Sequence, residues 1–117
     1  MTATRPLVLL HDLDLLLAEA RDAEWVAKLR RAGLILGDVR ALERARALEF
    51  ERVEPRWRPH YERALRRYGS AVASVRGRVC HGCHMALPRS AFPGESDAVS
   101  LCESCGRILY WGRGESL

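Results

Sequence analysis

The four cysteines of the chain stand in two pairs, Cys80-His81-Gly82-Cys83 and Cys102-Glu103-Ser104-Cys105, with eighteen residues between them. Two C-x-x-C pairs at this separation have the spacing of a four-thiolate zinc site. Zinc takes four soft or borderline donors at tetrahedral corners, and two residues between donors let one tight turn present both sulfurs. Gly82 inside the first turn and Gly106 just after the second are expected to supply the backbone freedom such turns need. Four thiolates close the coordination sphere. The reading is therefore one structural zinc held by Cys80, Cys83, Cys102 and Cys105, with no open position for catalysis.

Other chemistries use the same residue types. A thioredoxin-type dithiol needs a βαβ context, which the flanking pattern lacks. Cys80-His81-Gly82-Cys83-His84 also matches the c-type haem attachment pattern, but haem attachment leaves the second cysteine pair without a role. A pair of disulfides requires an oxidising compartment. His11, His60, His81 and His84 are not needed as ligands, because the cysteines fill four positions.

Length and composition set the frame. With 117 residues, 29% charged and 48% hydrophobic, the chain has room for one domain or two small ones of ordinary globular character. Its net charge of +4 comes from eighteen arginines and a single lysine set against the acidic groups. Near the N-terminus, Leu7-Val8-Leu9-Leu10 and Leu15-Leu16-Leu17 are apolar runs, but His11, Asp12 and Asp14 interrupt them. Neither a secretory leader nor a membrane span is expected from such a stretch. The expectation is a cytoplasmic protein whose thiols stay reduced and free for zinc, with no membrane and no small-molecule substrate among its partners.

Helices come first among the elements that must position the cysteines. Residues 6–32 read as one helix, with Pro6 in its first turn, a stripe of Leu9, Leu13, Leu16, Ala20, Ala23 and Ala27, and Gly33 as the stop. Its first half is apolar nearly all round, so it is expected to be buried on more than one side. After the connection Leu34-Ile35-Leu36-Gly37, a second helix starts at Asp38 as N-cap and runs through Val39, Leu42, Ala45 and Leu48 toward Val53. Pro55 and Pro59 predict a kink or break between about Val53 and His60. A last helix follows over 59–68. Tyr61, Leu65 and Tyr68 lie on one face, joined by Trp57, and Arg63, Arg66 and Arg67 lie on the other; Gly69 ends it.

Helices joined by a short turn fold back antiparallel, which is expected to set Leu9, Leu13 and Leu16 against Tyr61, Leu65 and Tyr68. From Gly69 the apolar period becomes two. One short strand over 71–75 leads through Arg76-Gly77-Arg78 into Cys80, and residues 98–101 and 107–111 give two more. The predicted class is α+β: residues 1–69 form a short antiparallel, coiled-coil-like helical hairpin, and residues 70–117 a small three-stranded zinc ribbon. So small a module buries little core, so zinc binding is expected to be part of its folding free energy. The chain is expected to be a monomer or a weak homodimer.

Tyr61-Glu62-Arg63, Gly69, Ala71-Val72-Ala73, Val75, Cys80-His81-Gly82-Cys83-His84-Met85 and Cys102-Glu103-Ser104-Cys105-Gly106-Arg107-Ile108-Leu109-Tyr110 together carry a resemblance. So does Leu9-Leu10-His11-Asp12-Leu13-Asp14 in the opening helix. The chain resembles the bacterial C4-type zinc-ribbon proteins with an N-terminal coiled-coil hairpin, a family assigned to nucleic-acid binding. The resemblance covers most of the chain and is densest from Tyr61 to Trp111. It implies zinc ligation by Cys80, Cys83, Cys102 and Cys105 and no enzyme activity. The chain departs from the family pattern in its shorter helices and in the short, proline-rich loop between the cysteine pairs.

Charge is unevenly spread. Residues 1–50 carry eight basic and eight acidic groups. Residues 51–78 carry eight arginines against Glu51, Glu54 and Glu62, and residues 79–117 carry Arg89, Arg107 and Arg113 against Glu95, Asp97, Glu103 and Glu115. The basic surface thus belongs to the last helix and the strand entering the ribbon. Along a continuous helix, Arg52, Arg56, Arg63, Arg66 and Arg67 share a sector of about 100°. Such a stripe is the electrostatic footprint of a phosphate-binding face, although solvated or internally paired charges give the same pattern.

Two function classes stay open. One is non-catalytic binding of RNA or DNA by Arg63, Arg66, Arg67, Arg76 and Arg78 at a helix–strand junction. The other is a protein–protein adaptor using the exposed side of the hairpin or an outer strand bearing Tyr110 and Trp111. An enzyme is not expected, because the sequence offers no paired carboxylates, no nucleophile–base arrangement and no open metal position.

Overall fold

The computed structural model describes residues 3–35, 37–94 and 97–112; Leu36 of the expected connection, and Glu95, Arg113 and Glu115 of the charge pattern, lie outside them. Four α-helices precede a small sheet: α1 (Thr4–Arg21), α2 (Ala23–Arg31), α3 (Val39–Arg52) and α4 (Arg58–Tyr68), then β1 (Val72–Arg76), β2 (Val79–Cys80), β3 (Val99–Leu101) and β4 (Ile108–Trp111). The α+β class follows directly. Among the described residues, no helix is long and apolar enough to cross a membrane.

The stretch expected as one helix is divided at Asp22, which leaves the helical region (φ −85°, ψ 100°) and accepts the Trp25 N–H on its carboxylate at 3.1 Å. A short carboxylate that satisfies a free amide of the next turn competes with helix continuation. Gly33 then ends α2 as expected. At φ 85° it lets the Leu34 N–H reach the Leu29 carbonyl at 2.8 Å while its own N–H donates to the Arg30 carbonyl at 3.0 Å, a Schellman closure. Asp38 caps α3 as the sequence indicates, accepting from the Arg40 N–H at 3.0 Å. The proline-marked break falls after Arg52. There a 3₁₀ turn at Pro55–Trp57 leads into α4, and Arg58 donates to the carbonyls of Val53 (3.1 Å) and Glu51 (2.9 Å) that α3 leaves unpaired. Gly69, at φ 73°, closes α4.

α1 packs chiefly on α3, and the pairs Asp14–Arg46 and Arg21–Glu43 show that the two run antiparallel. The hairpin is therefore present, but it uses a different face of α1 from the expected stripe. Leu7, Leu10 and Leu17 are the buried residues, whereas Leu9 and Leu16 are 39% and 44% exposed. Asp14 is the reason. It falls on the buried stripe at the position between Leu10 and Leu17, so an apolar count skips that face. Its carboxylate accepts the Tyr61 hydroxyl at 2.6 Å and pairs with Arg46 Nε at 3.1 Å, while Arg46 also reaches Glu62 at 3.1 Å. A buried carboxylate with this many partners is satisfied and costs little.

The sheet has four strands in the order β2-β1-β4-β3, where three were expected. The extra strand arises because Gly77 and Arg78, both at positive φ (55° and 63°), reverse the chain between Arg76 and Val79. Two consecutive left-handed residues make the hairpin turn whose twist suits the flanking strands. β4 lies inside the sheet, parallel to β1 and antiparallel to β3, and Trp111 is buried. The expected outer strand with Tyr110 and Trp111 is thus an inner one, hydrogen-bonded on both edges.

The strands alternate between two cores. Val72 and Ile108 face the helices and pack with Leu7, Leu10, Val53, Tyr61 and Ala64. Ala73, Val75, Leu109 and Trp111 face the other way, against Cys80, Leu87 and Cys102. The start of α1 therefore meets both α4 and the sheet, as its all-round apolar character indicates.

Tyr61 is fully buried, and burial together with the Asp14 carboxylate holds its hydroxyl above the usual tyrosine range. An unfolded tyrosine loses its proton near pH 10. The group's contribution is therefore complete below that pH and declines as pH rises beyond it, where the unfolded chain ionises first. Tyr61→Phe is expected to cost about 1–3 kcal/mol at neutral pH and to flatten the alkaline limb. Denaturant titrations of both proteins from neutral to alkaline pH check this; equal alkaline slopes contradict it.

Candidate metal centre

Two similar turns bring the cysteines together. Cys80 ends β2 and Cys102 follows β3 directly. In the first turn the His84 N–H donates to the Cys80 carbonyl (2.7 Å) and the Cys80 N–H to the Met85 carbonyl (3.1 Å). In the second the Gly106 N–H donates to the Cys102 carbonyl (2.9 Å) and the Cys102 N–H to the Arg107 carbonyl (2.9 Å). The residue after each second cysteine is left-handed, His84 at φ 63° and Gly106 at φ 82°. Gly106 thus plays the part expected of it. Gly82 does not: its φ is not positive, and the bend expected there is made by His84 instead. Gly82 leaves room for the Arg107 side chain: a Cβ there would lie 2.6 Å from Arg107 Cδ, so that side chain would have to move.

The four Sγ atoms all lie within 4.8 Å of one another, with Cys83 and Cys102 3.7 Å apart. Tetrahedral metal–sulfur bonds of about 2.3 Å require sulfurs about 3.8 Å apart, so the cage has the right size. All four thiols are free, and no histidine belongs to the cluster. Backbone N–H groups already point at the sulfurs, Gly82 at Cys80 (3.4 Å) and Arg107 at Cys105 (3.5 Å). Burial pushes the Cys80 thiol up to about 12 and raises Cys102 as well. Burial acts the same way on Cys105, but the Arg107 N–H and guanidinium and the neighbouring thiols outweigh it and bring that thiol down to about 7. Four sulfurs this close become thiolates together only around a cation, so the donor set fits a metal ion.

Arg107 joins the second turn to its surroundings. Its guanidinium lies 4.2 Å from the centre of the Tyr68 ring, its Nε donates to Ser70 Oγ at 3.1 Å, and its stem fills the space beside Gly82. One side chain therefore touches both cysteine turns and the end of α4. Its type and place in the sequence give no warning of this beyond its position next to Gly106.

Beside the second turn, α4 borders a cleft of about 300 Å³. His60, Arg63, Arg67 and Tyr68 line one wall, and Leu101 and residues 102–106 the other. Arg63 and Arg67 are thus brought together at the metal centre, with Arg66 exposed on the same helix. Arg76 and Arg78 are not at the helix–strand junction. They sit at the far end of β1, about 13 Å along the strand from Val72, because the chain reverses at Gly77-Arg78. The five-arginine stripe also lacks the continuous helix it needs. Arg52 closes α3 and pairs with Glu49 at 3.0 Å, and Arg56 lies in the 3₁₀ turn and pairs with Glu54 at 3.2 Å.

No family model matches the chain, and no curated protein matches it. Two solved structures are similar. The protein CT398 of Chlamydia trachomatis is 35% identical over 63% of this chain, with a TM-score of 0.54. The protein HP0958 of Helicobacter pylori is 24% identical over 68% of it, with a TM-score of 0.52, a likeness of fold alone. The matched part amounts to 33% of each of those chains.

Gly82→Ala is expected to displace the Arg107 stem from Tyr68 and to destabilise the protein by about 1–3 kcal/mol, the usual range for overpacking. In an Arg107→Ala background the same change should cost less, because the side chain it displaces is gone. Thermal unfolding of the two single variants and the double variant checks this; strict additivity contradicts it.

Proposed function

We propose that the chain is a non-catalytic zinc-ribbon protein of the cytoplasm that binds RNA or DNA through the unpaired arginines bordering its metal centre. The observation that carries this reading is a division among the basic groups of residues 51–78. Arg52 and Arg56 are neutralised by Glu49 and Glu54, and Arg58 is taken up by two carbonyls. Among the described residues, Arg63, Arg66, Arg67, Arg76 and Arg78 form no ion pair. Guanidinium groups with no carboxylate partner are the ones available to phosphate, which they hold bidentately, and Arg67 keeps its fork free while stacking on the Tyr68 ring at 5.3 Å. The primary surface is the α4 trio, Arg63, Arg66 and Arg67; Arg76 and Arg78 form a separate, outlying contact.

The metal is one zinc ion with a structural role. Four thiolates select a soft or borderline ion over magnesium or calcium, and with all four positions filled by protein no site is left for a reacting water. The motif resemblance supports membership of the bacterial C4-type zinc-ribbon family. The expected metal content is one zinc per chain purified under reducing conditions. Cys102→Ser should lose the metal and unfold the sheet while leaving part of the helix signal. Elemental analysis and circular dichroism read both outcomes, and protein that is folded and free of zinc contradicts the assignment.

Each neutralised phosphate releases counterions, so log affinity falls linearly with log salt, by about 0.9 per contact on duplex DNA and about 0.7 on single strands. Three to five arginines then give a slope of about −2 to −4.5. Changing Arg63 and Arg67 together to Ala should make it shallower by about 1.4 to 1.8 with zinc content unchanged. Salt titrations of RNA and DNA oligomers against both proteins test this. Absent binding at low salt, or an unchanged slope, removes the reading.

A further inference from the structure

The cleft between α4 and the second cysteine turn is electrically divided. His60, Arg63 and Arg67 stand three and four residues apart on one face of α4 and line one wall. Glu103 lines the other, on the turn between Cys102 and Cys105. Elsewhere in the molecule facing cations and carboxylates close on one another, as Arg46 does on Asp14 and Glu62 at 3.1 Å each. Here they do not. Among the described residues, Glu103 forms no ion pair, and neither Arg63 nor Arg67 pairs with a carboxylate. Opposite charges therefore face each other across a space of about 300 Å³, which is the size of a small ligand site.

That division says what fits. A carboxylate in the wall weakens a site for phosphate alone, since like charges repel. A cationic ligand meets the same objection from Arg63 and Arg67. The matching ligand is anionic at one end and carries neutral donors at the other, which describes a nucleotide: phosphate, then sugar, then the hydrogen-bonding edge of a base. Among the bases, guanine offers two adjacent donors on its Watson–Crick edge, N1–H and N2–H, which one carboxylate accepts together. Cytosine and adenine offer one donor beside an acceptor. Uracil and thymine offer one donor between two carbonyls that a carboxylate repels. In a duplex this edge is taken up by pairing, so only an unpaired base can present it.

We propose that the cleft holds one unpaired guanine nucleotide of a single strand, with phosphate on Arg63 and Arg67 and the N1–H and N2–H groups of the base on the Glu103 carboxylate. This assignment rests on the nucleic-acid reading above and narrows it to single strands. Glu103 is then the residue that sets base preference, while the arginines supply affinity without regard to sequence.

Fluorescence anisotropy of the full-length, zinc-loaded chain at one fixed low salt tests it. The probes are an all-uracil single strand, the same strand with isolated guanines, and the latter paired to its complement, each as RNA and as DNA. The wild-type chain should bind the guanine-bearing single strand about five- to tenfold tighter than the all-uracil one, the lower end for a bidentate base contact. Pairing to the complement should abolish the preference. Glu103→Gln should weaken guanine binding and tighten uracil binding, the latter by about twofold because a like charge beside the phosphates is gone. A carboxylate that acts only through its charge or through the fold of the turn moves both affinities in the same direction. A shift of that kind overturns the assignment, as does an equal affinity of the wild-type chain for both strands or a preference that survives pairing. In each of these cases binding that still weakens with salt leaves the nucleic-acid reading standing; no binding to any probe removes both.

Discussion

The sheet depends on four sulfurs being held within 4.8 Å of one another. Its strands run from two to five residues, too short to be stable through their own ladders. The two strands it is built around, β1 and β4, are parallel, which requires the chain to cross over between them. Here the crossover is made by the two cysteine turns and the loop between them. A metal at the sulfurs would tie both ends of that crossover, turning a loop-closure cost into a fixed geometry. The helical layer covers one face of the sheet, and the cysteine turns with Leu87 and Phe92 cover the other. The cysteine cluster is thus part of the second core, beside Trp111, and not an ornament on its edge.

Arginine serves three separate ends in this chain. Arg46 is half-buried structure, joining Asp14 to Glu62 above the Phe50 ring. Arg58 and Arg107 act as clasps, the first on the carbonyls at the end of α3 and the second between Tyr68, Ser70 and Gly82. Among the described residues, those on α4 and at the Gly77-Arg78 turn pair with no carboxylate. A count of net charge cannot separate these groups. The sorting comes from which carboxylates and carbonyls the fold places nearby.

The same distinction explains what could be read in advance. The cysteine spacing, the stops at Gly33 and Gly69, the Asp38 cap and the proline break are local signals, each fixed by a few adjacent residues. They stand in the structure where the sequence puts them. The failures involve residues whose role is set by a distant partner. Asp14 looks like an interruption of an apolar helix until Tyr61 and Arg46 arrive to satisfy it, so the buried face of α1 was misplaced. Gly82 looks like a turn residue until Arg107 fills the space its missing Cβ leaves. Asp22 and Gly77-Arg78 are different: their capping and turn chemistry is local, but each lies inside a longer periodic pattern that masks it.

These placements give the molecule two dissimilar ends. α1 runs for eighteen residues, about 27 Å, between the sheet and α2, and the molecule is 47 Å long. The exposed surface of α2 therefore lies far from the cleft between α4 and the second cysteine turn. The break at Asp22 ends the packing of α1 before α2 begins, so the nine residues of α2 contribute no buried side chain to the core that holds the cysteine turns in place.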